Sequence, residues 1–593
     1  MDPVTGDVPP ARPAAFRPRE LRFTPQPAVR WFSPGVLASS GLHVGVTSVF
    51  GSFLDKRELQ AGRPCAPDLR YAARDEVWID YVADTGDGFE ATATVASMVG
   101  RREVLPEGLD RALPRGDILV FGGDEVYPAA SADGYERRLE GPWRAALPWT
   151  APPHPTLYAI PGNHDWYDGL TGFLRLFGQG RWVGGWHTNQ TRSYWAVKLP
   201  HGWWLWGVDI QSGALIDEPQ LAYFRDVAGR AERGDRLILA TAVPTWTRLD
   251  RDPQAYRNLA YLERAILRPA GIVPKLTVAG DLHHYSRYEH RGEEEEIGPT
   301  HKITSGGGGA FLHPTHVLPA RATIGVDPDD PDDVTGYEME AAYPSRRRSR
   351  WLSASALGLA LRNPSFCAVP AVVALALLWS TQFGLRSLER PGDSWSEAAA
   401  RWGYRDLASG LGRSALSAVL VLGLFGALWA FARTPDWAAQ GVSRWVAKTV
   451  AALVHLALQL GVLVAVMLAA LSVASGLDGW GFAVVASMVA AVLGGPAGAT
   501  AVGLYLAAAS AAPGVHAHAN EAFAAARITR YKGFLRMHVD PDGALTVYAL
   551  GIPRAVPRRH WAAVPEADDP EAAWITPTSH PPRVEVVDTV TMR

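Results

Sequence analysis

Between about residues 77 and 309, short apolar runs alternate with polar, glycine-rich turns. Residues 77–83, 118–121, 157–160, 203–210, 237–241 and 275–279 read as buried strands. Most of them lead into a loop rich in Gly, Asp, Asn or His, and layered α/β folds collect their sites just past the carboxyl ends of strands. From Pro364 onward the pattern changes. Residues 364–385, 414–432, 446–474 and 480–511 are apolar with no amphipathic face, which predicts transmembrane helices rather than core helices. Three easily reach the roughly 20 residues that a bilayer crossing takes, and 414–432 just does. The fourth carries Gly494-Gly495-Pro496 and reads as one kinked or tilted helix, because two crossings of about 15 residues each fall short. Upstream, residues 31–54 are apolar but broken by Pro, Gly and Ser, which predicts a core-packing helix, with a membrane-surface helix as the alternative. Residues 534–548 alternate around Asp540-Pro541-Asp542-Gly543 and predict a hairpin docked back on the soluble domain.

The chain of 593 residues is thus divided into a disordered leader (1–30), an α/β domain (31–345), a membrane region of about four spans (364–511), a hairpin segment (520–560) and a disordered tail (561–593). A net charge of −3 excludes a strong basic field, so no nucleic acid is expected as a partner. Cys65 and Cys367 form no disulfide framework and no zinc-finger spacing, so any metal has His and oxygen ligands. No signal peptide is legible in residues 1–30, where Pro, Arg and Asp stand in place of an apolar stretch. Basic residues gather at 346–350, at Arg433, Arg444 and Lys448, and at Arg527, Arg530, Lys532 and Arg536. With four spans this places both termini and the α/β domain in the cytoplasm of a multi-pass protein of the plasma or inner membrane. The loop 386–413 has five arginines of its own and blurs that signal.

Four blocks concentrate hard ligands on glycine-permitted turns. They are Asp84-Thr85-Gly86-Asp87-Gly88, Gly122-Gly123-Asp124-Glu125-Val126-Tyr127-Pro128, Gly162-Asn163-His164-Asp165 and Gly280-Asp281-Leu282-His283-His284-Tyr285. Each alone is weak, since an Asp-Gly turn is usually only a turn. Their order and spacing together make the pattern specific. Residues 304–309 (TSGGGG), followed by His313-Pro314-Thr315-His316, are open to two readings: backbone approach to a phosphate, or a tight turn. His455 and Gln459, one turn apart in a span, predict interhelical hydrogen bonding ahead of a proton path.

The four blocks resemble the signature of the calcineurin-like metallophosphoesterases: D-x-H or D-x-G, then G-D-x-x-[HY], G-N-H-[DE], a lone His, and G-H-x-H. The resemblance covers roughly residues 77–316. It implies a two-sheet sandwich flanked by helices, and two metal ions bridged by a carboxylate and a hydroxide. At the first position it implies Asp84, the bridging Asp124 and His283 as ligands. Gly86 replaces the usual His, and Tyr127 stands where purple acid phosphatases place a tyrosinate, a donor that favours Fe(III). Asp87 is the reserve oxygen ligand there. At the second position Asn163 and Asp124 remain, and Asp281 replaces the first His of the last block. No His falls within residues 239–246, where the lone His belongs. His284 is a spare ligand or supports one. Oxygen ligation suits Mg, Mn or Fe better than Zn, and leaves the second position open to being weak or empty. His164 is implied to contact the phosphate or act as general acid, oriented by Asp165. The implied activity is attack by a metal-bound hydroxide on a phosphomonoester or phosphodiester of a small molecule or lipid, at a membrane whose lipid is itself a partner. The alternative is a catalytically degenerate domain that binds a phosphorylated ligand and regulates at the membrane.

Overall fold

The computed structural model describes residues 11–39, 60, 62–150, 152–210, 216–291, 298–385, 394–435, 441–566, 569, 571–578 and 581–593. The chain divides into two compact units. One is formed by residues 1–29, 40–346 and 528–593, the other by 30–39 and 347–527.

The first unit is built on two eight-stranded sheets. In one, the order is Glu585–Met592, Leu545–Arg554, Arg530–Val539, Val77–Val82, Ile118–Phe121, Thr156–Ala159, Trp186–Thr188 and Trp182–Val183. In the other it is Arg321–Gly325, Val334–Tyr343, Tyr285–His290, Thr300–Ser305, Val273–Ala279, Arg236–Thr241, Trp203–Val208 and Trp195–Lys198. The central strands of each sheet run parallel, with antiparallel strands toward the edges. Strand side chains alternate between faces. Ile79, Tyr81, Ile118 and Val120 enter the core between the sheets, facing Leu205, Ile238, Leu276 and Ile303. Trp78, Val82, Leu119 and Phe121 point the other way, onto the helices Phe89–Val99 and Gly141–Ala146. The second sheet packs its outer face on Glu218–Ala228 and Arg257–Leu262. The unit is therefore a two-sheet α/β sandwich flanked by helices. Strands buried on both faces explain why their sequences read as continuous apolar runs.

Three segments differ from their expected structure. Residues 1–10 lie outside the described residues, but Leu21, Phe23 and Val29 of the predicted disordered leader are buried, with the Phe23 ring beside Phe89. The predicted disordered tail ends in Glu585–Met592, an edge strand paired antiparallel with Leu545–Arg554. The hairpin is longer than expected: Arg530–Val539 pairs with Val77–Val82, so its two strands are integral to the first sheet as two of its eight. Of residues 31–54, 34–39 are helical, and 40–54 lie outside the described residues.

In the second unit, three helices among the described residues are long and apolar enough to cross a membrane: Pro364–Gln382, Val442–Ala474 and Gly479–Ala511. The expected span at 414–432 is a 17-residue helix, Ala415–Phe431. It meets Tyr404–Arg413 at a bend of 91°, and only the two together would make a fourth, broken span. Ser414 is the reason: its side chain caps the second helix by accepting from the Ser417 N–H, which starts a new helix there. Gly479–Ala511 continues through Pro496. A Cβ at Gly494 would lie 2.6 Å from the Ala374 methyl, so glycine sets the close approach of this helix to Ala368–Leu385. Gln459 donates across helices to the Gly498 carbonyl at 3.2 Å, the interhelical bond expected of it.

Candidate metal centre

Every block of the sequence pattern lands at the carboxyl end of a parallel strand. Asp84 follows Val77–Val82, Asp124 follows Ile118–Phe121, His164 follows Thr156–Ala159, and Asp281 and His283 follow Val273–Ala279. Asp84, Asp124 and Asp281 all take left-handed backbone conformations, with φ of 59°, 54° and 66°. Non-glycine residues carry a cost of about 1 kcal/mol or more there, least for Asp and Asn. Three such residues at one rim bend three loops inward at once.

The loops bring four side chains together. The Tyr127 hydroxyl lies 2.9 Å from Asp84 Oδ1, 3.3 Å from Asp124 Oδ2 and 2.9 Å from His283 Nε2. His283 Nε2 is 3.7 Å from Asp84 Oδ1. The other nitrogen of His283 donates to the Phe311 carbonyl at 2.7 Å, which fixes the tautomer and aims Nε2 inward. Gly86 explains why Tyr127 is there. A Cβ at position 86 would sit 2.0 Å from the Glu125 carbonyl oxygen, so no side chain fits. The same close approach lets the Tyr127 N–H bond to the Gly86 carbonyl at 3.0 Å.

The electrostatics call for a cation. Asp84, Asp124, Glu125 and Asp165 are all buried, and Asp84 Oδ2 has no hydrogen-bond partner among the described residues. Burial, then the neighbouring Asp124 and Asp281, pushes the Asp84 carboxyl well above its ordinary range; burial, then Asp165 and Asp281, does the same to Asp124. Burial, then His313 stacked at 3.7 Å, drives His283 well below its usual value and keeps it a neutral donor. Clustered carboxylates with an orphaned oxygen beside a neutral, oriented imidazole match the donor set of a hard metal ion. Among the described residues no three His, Cys, Asp or Glu side chains close on one point as ligands do; it is Tyr127 that joins Asp84, Asp124 and His283.

The remaining predicted site residues are placed differently. Asp165, expected to orient His164, makes hydrogen bonds to other groups. Its Oδ2 accepts from the Gly162 and Glu125 N–H groups at 2.8 and 3.3 Å, and its Oδ1 from the Tyr135 hydroxyl at 2.6 Å. It ties the third loop to the second. His164 Nδ1 donates instead to the Pro128 carbonyl at 2.7 Å, and the His164 N–H holds Asp124 Oδ1 at 2.9 Å. Burial lowers the His164 pKa and outweighs the Pro128 carbonyl and the Asp165 charge, both of which raise it. Asp87 accepts from the Val29 N–H at 2.6 Å, which turns it toward the N-terminal segment. Asn163 sits with its side chain against the Tyr167 hydroxyl. Asp281 is paired through Oδ2 with Arg248. His284 is buried, with its pKa pushed down to about 3 by desolvation. In the second ligand set, the hydrogen bonds thus join Asp281 to Arg248 and Asn163 to Tyr167.

The glycines at 306–309 pack against the first loop. A Cβ at Gly306 would meet Asp84 Oδ2 at 2.2 Å, and one at Gly309 the Thr85 carbonyl oxygen at 1.9 Å. Their role is close approach of two chain segments, a third outcome beside the two expected. The same segment is held from the C-terminal hairpin. Lys532, fully buried and pushed down to about 8 by desolvation, donates to the Ala310 carbonyl, and Gly533 N–H donates to Gly307 at 3.0 Å. Neither Lys532 nor Arg248 carried a motif, and only the hairpin's alternation hinted that residues near 532 would join the fold.

Residues 77–285 match the family model of the calcineurin-like phosphoesterases. That segment holds every predicted site residue and is a calcineurin-like phosphoesterase domain. Among solved structures, a purple acid phosphatase isolated from yellow lupin (Lupinus luteus) seeds is 15% identical with a TM-score of 0.28, covering 41% of this chain and 46% of that one. PhoD is 10% identical with a TM-score of 0.27, covering 42% of this chain and 59% of that one. The chain thus spans less than two thirds of the length of either. No curated protein matches it.

Proposed function

We propose that the chain is a metal-dependent phosphoesterase, anchored to a membrane by its helical unit, that hydrolyses a phosphomonoester or phosphodiester of a small molecule or lipid. The observation that carries this reading is the convergence of Asp84, Asp124, Tyr127 and His283 in a buried, carboxylate-rich centre. A bound ion would supply Lewis-acid polarisation and a nucleophilic water at neutral pH. Asp84, Asp124, Tyr127 and His283 would hold it. His164 would meet the phosphoryl oxygens with Nε2, because the Pro128 carbonyl fixes the proton on Nδ1. Burial keeps this imidazole neutral, and an anionic phosphoryl group beside it favours the protonated form that can pass a proton to the leaving group. Asp165 keeps the two loops in register.

The test is turnover of p-nitrophenyl phosphate and bis-p-nitrophenyl phosphate by the full chain, after loading with Mn, Fe or Mg. Metal-dependent release of p-nitrophenol from either is expected, with the protein resisting alkaline carbonate extraction from membranes. A metal-free protein with no turnover would leave the regulator reading.

Tyr127 gives a second test. Burial, then Asp124 and Asp84, holds its phenol protonated, so only a strong cation makes it a ligand. If the ion is Fe(III), the protein is coloured by a tyrosinate charge-transfer band. Tyr127→Phe keeps the ring and loses the band while the far-UV circular dichroism is unchanged. Iron-loaded protein without colour would place Tyr127 in packing alone.

A further inference from the structure

We propose that this centre holds one metal ion, and that the Arg248 guanidinium stands in the place of the second cation, held by Asp281 to bind the phosphoryl oxygens of the substrate. The proposal rests on the phosphoesterase reading and deepens it.

The strand Arg236–Thr241 runs parallel to Val273–Ala279, with Thr241 opposite Ala279, so the loops that follow lie side by side at the rim. The first of these loops is where the resemblance puts a histidine ligand of the second ion. Residues 239–246 contain none, and the loop presents Arg248 instead. The loop is firmly built: Trp246 is fully buried, Thr247 Oγ1 donates to the Pro244 carbonyl at 2.8 Å, and the Arg248 N–H bonds Thr245 at 3.1 Å.

From this anchor Arg248 donates to Asp281 Oδ2. Asp281 is itself fixed over the centre, its N–H on Asp84 Oδ1 at 3.1 Å. It is the residue that replaces the second site's other histidine. Both imidazoles of the second position are thus gone, and the carboxylate in their place already has a cation. An ion there would have to displace a guanidinium that never loses its charge. Arg248 is 47% exposed on its side chain and bonds Asp281 through one terminal nitrogen, so a ligand can reach the guanidinium. A planar, permanently charged fork matches two phosphoryl oxygens, and it stabilises the same charge that a second ion would.

The experiment uses the detergent-purified full chain, loaded with Mn or Fe and freed of excess. Metal is counted by mass spectrometry, and inorganic phosphate binding is measured by equilibrium dialysis. One ion per chain is expected. Arg248→Ala should keep that ion and bind phosphate at least about tenfold more weakly, as the loss of a charge-assisted hydrogen bond predicts, with Arg248→Lys between the two. Two ions per wild-type chain, or unchanged phosphate affinity in Arg248→Ala, would overturn the proposal and leave the phosphoesterase reading standing. No ion under any loading would overturn both.

Discussion

Asp124→Asn is expected to release the metal ion and to lower turnover by more than about 100-fold, without loss of fold. Removing residues that merely support metal ligands costs about 10–100-fold, and Asp124 faces the centre directly. One of its oxygens is held by the His164 N–H at 2.9 Å and the other lies 3.3 Å from the Tyr127 hydroxyl. An amide at this position must turn its NH2 either toward the His164 donor or toward the centre. Both choices remove an acceptor where a cation needs one. The fold should gain rather than suffer. Asp124 is buried, and its carboxyl is pushed well above the ordinary range by burial first, then by Asp165 and Asp281. Neutralising it relieves that repulsion. Metal analysis, turnover and a thermal melt on one preparation separate the possibilities. Lost activity with full metal content would show that Asp124 serves the reaction but does not hold the ion.

What the sequence made legible follows a physical rule. The convergence of Asp84, Asp124 and His283 was legible because glycine-rich turns after buried strands are local features, readable within a few residues. The hydrogen bonds of Asp165 were not legible, because adjacency in sequence says little about where a side chain points. The 3-10 turn Asp165–Asp168 carries its carboxylate back under the second loop, onto Gly162, Glu125 and Tyr135. Arg248 was invisible because its meaning depends on Asp281, 33 residues further on, in a loop of unremarkable composition. The last strand was hidden differently. Residues 586–590 (VVDTV) carry no clean alternation, and it is pairing with Leu545–Arg554 that makes them a strand. In the helical unit, the apolar run 414–432 was legible and corresponds to Ala415–Phe431, whereas the helix Tyr404–Arg413 before it, set at 91° across Ser414, lay in what read as a loop.

The C-terminal hairpin lends itself to the largest stability effect. Arg536 is fully buried in the strand beside Val77–Val82, and Asp80 opposite it is 1% exposed. Nε and one terminal nitrogen of Arg536 grip the two Asp80 oxygens at 2.7 and 3.0 Å. The remaining donors reach the Leu113 and Val99 carbonyls at 3.1 and 3.2 Å, and the Gly116 N–H closes on Asp80 Oδ2 at 3.0 Å. Arg536→Leu keeps most of the volume but strands Asp80 and two carbonyls without their donor. Breaking a buried pair from one side costs about 3–5 kcal/mol, a large part of the roughly 5–15 kcal/mol that holds a typical domain. The melting temperature of the α/β unit should fall by on the order of 5–10 °C, and metal binding should weaken with it, because Lys532 and Gly533 on the same strand brace the loop at 306–312. Asp80→Leu combined with Arg536→Met should recover most of the loss, since a well-packed apolar pair avoids the desolvation that the charges endure. If the single Arg536→Leu change melts within a degree of the parent, the hairpin does not carry the sheet. If instead the double variant melts as low as the single one, the four hydrogen bonds from Arg536, rather than the orphaned charge, are what the fold loses.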